Sequence, residues 1–276
     1  MSNGESQAGS KRLIRETIQS RGFFPSDLAA HLSPAEVMQP NDFSERVWTR
    51  LRVEECGDPV IRLNDSKKLI THSMYWDQRR EGIEPILVGT DRIEGALERI
   101  YVRKKLADVL EKAASLLPDE YQLLVLDGFR PEQVQRNIFE KLQTLLGDEV
   151  FKYVSPPDQF ASHATGAAVD LTILQSGKPV DMGGKVDEMG KRAHLHCFEG
   201  AKDPVDISIR DWRRYLQWLL KTPAILNDNY SDVVGIPTET WHLELVDTQV
   251  GAFTQNRSVA RYGNASKNGL LPADMH

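Results

Sequence analysis

The sequence contains very little cysteine and no long apolar segment. Among its 276 residues only Cys56 and Cys197 are cysteines, and they lie too far apart to form a CxxC pair or a disulfide framework. A structural zinc site built from cysteines is therefore not expected. No segment reaches the about 18 consecutive apolar residues of a membrane-spanning helix, and the N-terminus lacks the apolar core of a secretory signal. These absences predict a cytoplasmic protein.

An excess of positive charge is also missing. The chain has 34 lysines and arginines against 40 aspartates and glutamates, which gives a formal net charge of -6 at pH 7. This balance provides neither the basic surface that nucleic acid requires nor a polybasic patch for a membrane. We therefore expect no nucleic acid or membrane partner, and homo-oligomerisation stays open.

The distribution of polar residues predicts a three-part organisation. Residues 1–45 form an N-terminal extension, which begins with a disordered Ser/Gly-rich segment and has short helical patterns around 11–20 and 33–39. Residues 46–250 form the main domain. Residues 251–276, rich in Gly, Asn and Ser, form a polar C-terminal tail.

Hydrophobic periodicity predicts an α+β fold, with a central, mainly antiparallel sheet and helices packed on one side of it. Strands show alternating or continuous apolar residues bounded by turn residues, whereas helices show apolar residues at spacings of three and four. The predicted elements are a helix over 95–117, a strand at "YQLLVLDGF", a helix from Pro131 to just before Gly147, a strand over 166–174, a helix over 208–221 and a strand over 240–246.

The segment "SHATGAAVD" places a histidine in a loop and an aspartate on the strand that follows. His163 and Asp170 are seven residues apart, and Gly166 allows the backbone to bend sharply between them. The alternative is a plain turn followed by a core strand with one satisfied aspartate. A carboxylate within an apolar strand is costly unless it is paired or bound to a cation, which favours a metal ligand.

The segment "ETWHLEL" carries a second strand histidine. Alternation places Trp241, Leu243 and Leu245 on one face, and Thr240, His242 and Glu244 on the other. His242 would complete a His-Asp-His set, and three protein ligands with an open fourth position are typical of catalytic zinc. Glu239, at the start of this strand, could then act as the general base without being a ligand.

Two further features have competing interpretations. In "LDGFRPEQ", Arg130 lies between a strand and a helix; it is either an exposed arginine beside a turn or, in a peptidase, a group that stabilises an oxyanion. His194 and His196 form an H-x-H pair that could also bind a metal. We rank this pair below His163 and His242.

Four segments in this order resemble motifs of the VanX-type D-alanyl-D-alanine dipeptidases, zinc metallopeptidases with a Hedgehog/DD-peptidase fold. "LDGFRP" resembles D-G-Y-R-P, "SHATGAAVDL" resembles S-x-H-x-x-G-x-A-x-D-L, "DMGGKVDEMGKRAH" resembles M-G-x-x-F-D-x-M-x-x-R-x-H, and "ETWH" resembles E-x-W-H. The resemblance covers roughly residues 57–250. Two positions depart from it: Val186 replaces an aromatic residue, and Ala161 stands where some members have serine.

The resemblance implies one zinc ion per chain, bound by His163, Asp170 and His242. Glu239 would be the general base and acid, and Arg130 would stabilise the tetrahedral intermediate. Asp187 would face the free amino group of the substrate, and Ser162 is a second candidate for substrate binding.

The implied function is zinc-dependent hydrolysis of D-Ala-D-Ala or a closely related dipeptide. One alternative is a D,D- or L,D-carboxypeptidase that acts on larger cell-wall fragments, against which Asp187 argues because a carboxylate that binds a free amine suits short substrates. Another is a zinc-binding module without catalysis, which would need neither Glu239 nor Arg130.

Overall fold

The structure is a computed structural model that describes residues 3–87, 89–157, 159 and 161–275. Its helices are α1 (Asn3–Arg21), α2 (Pro25–Leu28), α3 (Pro40–Glu45), α4 (Lys104–Ser115), α5 (Glu132–Leu146), α6 (Pro204–Leu226) and α7 (Gln249–Thr254). Its strands are β1 (Arg52–Val53), β2 (Val60–Arg62), β3 (Leu69–Thr71), β4 (Tyr101–Arg103), β5 (Tyr121–Asp127), β6 (Ala168–Gln175), β7 (Lys178–Pro179), β8 (Val233–Ile236), β9 (Glu239–Leu245) and β10 (Val259–Ala260). The predicted strands at β5, β6 and β9 and the predicted helices at α5 and α6 are confirmed.

The central sheet has the strand order β3-β5-β6-β9-β8, with β7 paired to β6. In this sheet β3 and β5 pair in parallel, whereas β5, β6, β7, β9 and β8 pair with their neighbours in antiparallel fashion. Two short ladders join β1 to β10 and β2 to β4. The predicted α+β class with a mainly antiparallel sheet is therefore confirmed. No helix in the described part of the chain is both long and apolar enough to cross a membrane.

Helices cover both faces of the sheet, so the prediction that they pack on one side is wrong. Strand β5 is apolar on both faces. Leu123 and Val125 share a core cluster with residues of α4 and α6, whereas Leu124 and Leu126 share a second cluster with residues of α5. Full burial of one such side chain stabilises the fold by about 1.5–3 kcal/mol, so a strand with two apolar faces favours cover on both sides.

The predicted helix over 95–117 begins only at Lys104, because the preceding residues form β4. Arg103, at the end of this strand, is completely buried. Its guanidinium donates to the carboxylate of Glu55 and to the carbonyls of Thr165 and Gly263. A buried charge needs such partners, and these tertiary contacts override the helical periodicity.

The N-terminal segment differs from its prediction. Helix α1 already begins at Asn3, where disorder was expected, and residues 33–39 are not helical. Ser33 explains the second difference, since its amide donates to Ser10 Oγ and its carbonyl accepts from Trp218 Nε1. With these backbone groups bound to other parts of the chain, Ser33 does not cap a helix. The domain boundary at residue 45 stays a prediction.

The C-terminal segment packs onto the domain over part of its length. Strand β10 pairs with β1, and Tyr262 and Ala265 are buried. The amide of Ala265 donates to the carbonyl of Ala164, beside the His163 turn, at 2.9 Å. Isolated apolar residues among polar ones give no periodic signal, so the sequence did not indicate this packing. The predicted C-terminal tail over residues 251–276 stays a prediction.

Candidate metal centre

The three predicted ligands meet at one point because of strand register. Asp170 on β6 pairs directly with His242 on β9, so both side chains lie on the same face of the sheet. His163 comes from the turn Ser162–Thr165 before β6, and Gly166 ends this turn with a φ of +70°. A side chain at Gly166 would also crowd Val60, since its Cβ would lie 3.1 Å from Val60 Cγ2. The glycine is thus required to bring the loop histidine back over the strand.

The three residues form a triangle, in which the two histidine nitrogens face different oxygens of the Asp170 carboxylate. His163 Nε2 and His242 Nδ1 are 3.2 Å apart, His242 Nδ1 and Asp170 Oδ1 are 3.2 Å apart, and His163 Nε2 and Asp170 Oδ2 are 3.4 Å apart. Donors about 2.0–2.1 Å from a tetrahedral zinc ion are themselves about 3.3–3.4 Å apart. All three residues are buried, and together they form a group that could hold a metal ion. Both the spacing and the nitrogen–oxygen donor set therefore fit zinc.

Hydrogen bonds orient the first histidine. The Nδ1–H of His163 donates to the carbonyl of Gly128 at 2.9 Å, because a carbonyl can only accept. In the neutral ring this bond fixes the tautomer, so that Nε2 carries the lone pair and faces Asp170 and His242. A partner on the second ring nitrogen is the usual arrangement for a metal-binding histidine.

His242 has a different environment. Its Nδ1 is directed at Asp170, and its Nε2 has no hydrogen-bond partner within the described residues. Glu244 Oε1 lies 4.0 Å from that Nε2, and Glu244 is completely buried, which raises the pKa of its carboxyl group. Alternation along the strand predicts that Glu244 lies on the same face as His242, which lies two residues before it. No function was predicted for Glu244 from the sequence.

The electrostatics of the triangle favour a cation. Burial alone would raise the pKa of Asp170, but the His163 and His242 rings hold it well below its ordinary value. Burial alone would lower the pKa of His242, whereas Asp170, Glu244 and Glu239 raise it to about 9. A proton on the His242 imidazole would balance the charge of the buried Asp170 carboxylate. A divalent cation would supply the same compensation and displace that proton.

Glu239 lies beside the triangle rather than in it. Its Oε2 is 3.8 Å from His242 Nδ1, and its side chain remains 24% exposed. Burial and the neighbouring Asp170 raise the pKa of Glu239, whereas His242 lowers it. A raised pKa near the reacting centre suits a group that accepts and returns a proton.

Arg130 is fixed by three partners at the end of β5. Its Nε donates to Asp127 Oδ2 at 2.9 Å, its Nη1 to Gln135 Oε1 at 2.8 Å and its Nη2 to Tyr75 Oη at 2.9 Å. The same Nη2 lies 3.6 Å from Asp170 Oδ2, beside the triangle. Arg130 is therefore buried, so the interpretation as an exposed arginine beside a turn is wrong.

Tyr75 connects Arg130 to the predicted amine-binding residue. Its hydroxyl accepts from Arg130 and donates to Asp187 Oδ2 at 2.9 Å. Asp187 has a φ of +64°, and burial together with the Asp170 charge raises its pKa well above the ordinary value. Asp187 thus has an uncommon backbone conformation, and its carboxylate is not fully balanced by a neighbouring positive charge. Both features are consistent with a role in ligand binding. Tyr75 lies in a loop without periodic pattern and was not predicted.

These residues line a cavity of about 90 Å³, which also includes Ser162 and Ala161. The N-terminal segment contributes Phe43, Arg46 and Trp48 to its wall, which the sequence did not indicate. His194 and His196 are outside both this wall and the ligand group found among the described residues.

A larger cavity of about 280 Å³ lies at Trp241 and Val186, and none of the three candidate ligands lines it. Trp241 belongs to the second core cluster rather than lying with Leu243 and Leu245 in the first, so its predicted face is wrong. A register shift between Gly235 and Ile236 interrupts the β8–β9 ladder beside it and breaks the alternation.

Comparison with known proteins identifies the family. The family described as Peptidase_M15, D-ala-D-ala dipeptidase, matches residues 87–260. The chain belongs to this family. The family predicted from the four sequence motifs is thereby confirmed, and with it the prediction that the chain is a peptidase.

A relative and two solved structures are also similar. A D-alanyl-D-alanine dipeptidase of Synechocystis sp. (strain ATCC 27184 / PCC 6803 / Kazusa) is 25% identical over 247 residues, which cover 78% of this chain and 95% of the relative. The structure of the LdcB LD-carboxypeptidase is 17% identical with a TM-score of 0.33, covering 79% of this chain and 94% of that one. The vancomycin resistance D,D-dipeptidase VanXYg, in complex with a D-Ala-D-Ala phosphinate analogue, is 18% identical with a TM-score of 0.31, covering 76% and 72%.

Proposed function

We propose that this member of the family is a zinc-dependent dipeptidase that hydrolyses D-Ala-D-Ala or a closely related dipeptide. The triangle of His163, Asp170 and His242 with Glu239 beside it carries this proposal. The family match supports the reaction, and so does the similarity to the D-alanyl-D-alanine dipeptidase of Synechocystis. A zinc module without catalysis would need neither the partly exposed Glu239 nor the buried Arg130.

The three ligands would hold one zinc ion per chain, which would polarise the scissile carbonyl and acidify a nearby water. Glu239 accepts a proton from the attacking water as the new C–O bond forms, and returns it to the amine as the C–N bond breaks. Arg130 faces the charge that develops on the carbonyl oxygen. Asp127, Gln135 and Tyr75 hold its guanidinium in advance, so little reorganisation is needed at the moment of reaction.

Substituting Arg130 should affect the transition state more than the bound substrate. We expect Arg130→Ala to lower kcat on the order of 10²–10³-fold with a smaller change in KM, as for other oxyanion donors. Steady-state kinetics of the zinc-loaded variant measures this split. Arg136→Ala, which removes an exposed arginine from α5, is the matched control. A large rise in KM at constant kcat would assign Arg130 to substrate binding instead.

The environment of Asp187 favours a short substrate with a free amino group. The carboxylate is held by Tyr75 and lacks a full countercharge, so an ammonium group would stabilise it. The cavity of about 90 Å³ is also small beside the roughly 300–1,000 Å³ of usual ligand pockets. Both features favour a dipeptide over a longer cell-wall fragment.

The free dipeptide should therefore be cleaved much better than N-acetyl-D-Ala-D-Ala. A charge-assisted hydrogen bond contributes about 1.5–3 kcal/mol, which corresponds to on the order of 10–100-fold in kcat/KM. Asp187→Asn should reduce this preference, whereas Glu188→Gln in the same loop should keep it. If the acetylated dipeptide and tripeptides react as fast as D-Ala-D-Ala, the enzyme is a carboxypeptidase and Asp187 does not bind the amine.

A further inference from the structure

The C-terminal carboxylate of the dipeptide needs a binding partner, as its amino group does. On the basis of the proposed function, we propose that Arg46 binds the C-terminal carboxylate of the dipeptide. Arg46 lies outside residues 87–260, which the family match covers, and reaches the cavity from the N-terminal segment.

The guanidinium of Arg46 is bound only to neutral acceptors. Its Nη1 donates to Ser155 Oγ at 2.5 Å, and its Nη2 donates to the carbonyls of Phe151 and Val154 at 3.2 and 3.3 Å. Among the described residues, no carboxylate lies within ion-pair distance of Arg46. These contacts orient the side chain without neutralising its charge, so the guanidinium remains able to bind an anion.

The charges around the cavity leave this role to Arg46. Two arginines line the wall, and Arg130 is already bonded through all three nitrogens, including an ion pair with Asp127. The carboxylates of Asp187 and Glu239 also line the wall and would repel a substrate carboxylate. A zwitterionic dipeptide needs a cation for one end and an anion for the other. Arg130 is ion-paired with Asp127 and assigned to the reacting carbonyl oxygen, so Arg46 supplies the cation for the carboxylate.

The backbone conformation at Arg46 is set by the end of helix α3. Its φ is +51°, in the left-handed region that a residue with a side chain seldom adopts, and its amide donates to the carbonyl of Phe43 at 3.2 Å. This conformation is the left-handed cap that ends α3, and it fixes the direction in which the side chain leaves the helix. Burial lowers the pKa of Arg46 whereas the charge of Glu239 raises it, so the two groups act within one electrostatic environment.

Calorimetric binding of two ligands to zinc-loaded protein tests the proposal. D-Ala-D-Ala carries the carboxylate, whereas D-Ala-D-alaninamide has the same shape without the charge, and Glu239→Gln protein is used so that neither is consumed. We expect the acid to bind more tightly than the amide by on the order of 10–100-fold. Adding Arg46→Gln should abolish the difference in affinity by weakening the binding of the acid alone, and Arg46→Lys in its place should keep part of the difference. Arg50→Gln, an exposed arginine of the same segment, should leave the ratio unchanged.

The competing role for Arg46 is to tether the N-terminal segment to residues 151–155. If Arg46 is only a tether, its substitution would weaken the binding of the acid and of the amide equally, and that result overturns the proposal. Failure of the acid to bind to protein with Arg46 intact also overturns it. Thermal unfolding of each variant reports any loss of the tether separately. If the wild type binds the acid selectively but does not cleave it, the proposed function fails while the assignment of Arg46 stands.

Discussion

Replacing His242 by alanine should remove the zinc ion and abolish hydrolysis of D-Ala-D-Ala. The variant keeps two of the three ligand side chains. Asp170 still pairs with residue 242, but this position no longer carries an imidazole. Loss of the metal removes several kcal/mol of transition-state stabilisation, so we expect a fall in kcat of at least about 10³-fold. Elemental analysis of the purified protein and a coupled assay for released D-alanine measure the two effects.

His196→Ala is the matched control for this variant. His196 is partly exposed, its nearest carboxylate is Glu199 at 4.0 Å, and it lies outside the ligand group. This substitution should leave zinc content and turnover close to those of the wild type. Full zinc occupancy in His242→Ala together with loss of zinc in His196→Ala would show that the ligand set is wrong.

Replacing Glu239 by glutamine should separate metal binding from catalysis. Glutamine keeps the size of the side chain but cannot accept a proton from water, and Glu239 is not one of the three residues of the triangle. We expect zinc content to stay at one per chain while kcat falls about 10²–10⁴-fold or more. Loss of zinc along with activity would instead mean that Glu239 is itself a ligand.

The candidate metal centre was predictable because its signals are local. A histidine, a glycine and a strand aspartate within eight residues define one half, and a histidine on an alternating strand defines the other. Antiparallel pairing of two neighbouring strands then brings Asp170 and His242 together. The roles of these residues stay predictions, whereas their convergence is a property of the fold.

Residues that act through long-range contacts left no such signal. Tyr75 and Arg46 are single residues in irregular segments, and only the tertiary fold brings them to the cavity. Arg103 interrupts a helical pattern because its buried charge binds Glu55, 48 positions away. Alternation also failed at Trp241, where the neighbouring ladder shifts register.

Zinc content and D-Ala-D-Ala turnover, measured on the same preparations of wild type, Glu239→Gln and His242→Ala, test the central claim most directly. The proposed site predicts one zinc ion per chain in the wild type and in Glu239→Gln, none in His242→Ala, and turnover in the wild type alone. Undiminished hydrolysis by His242→Ala protein that contains no metal would contradict it.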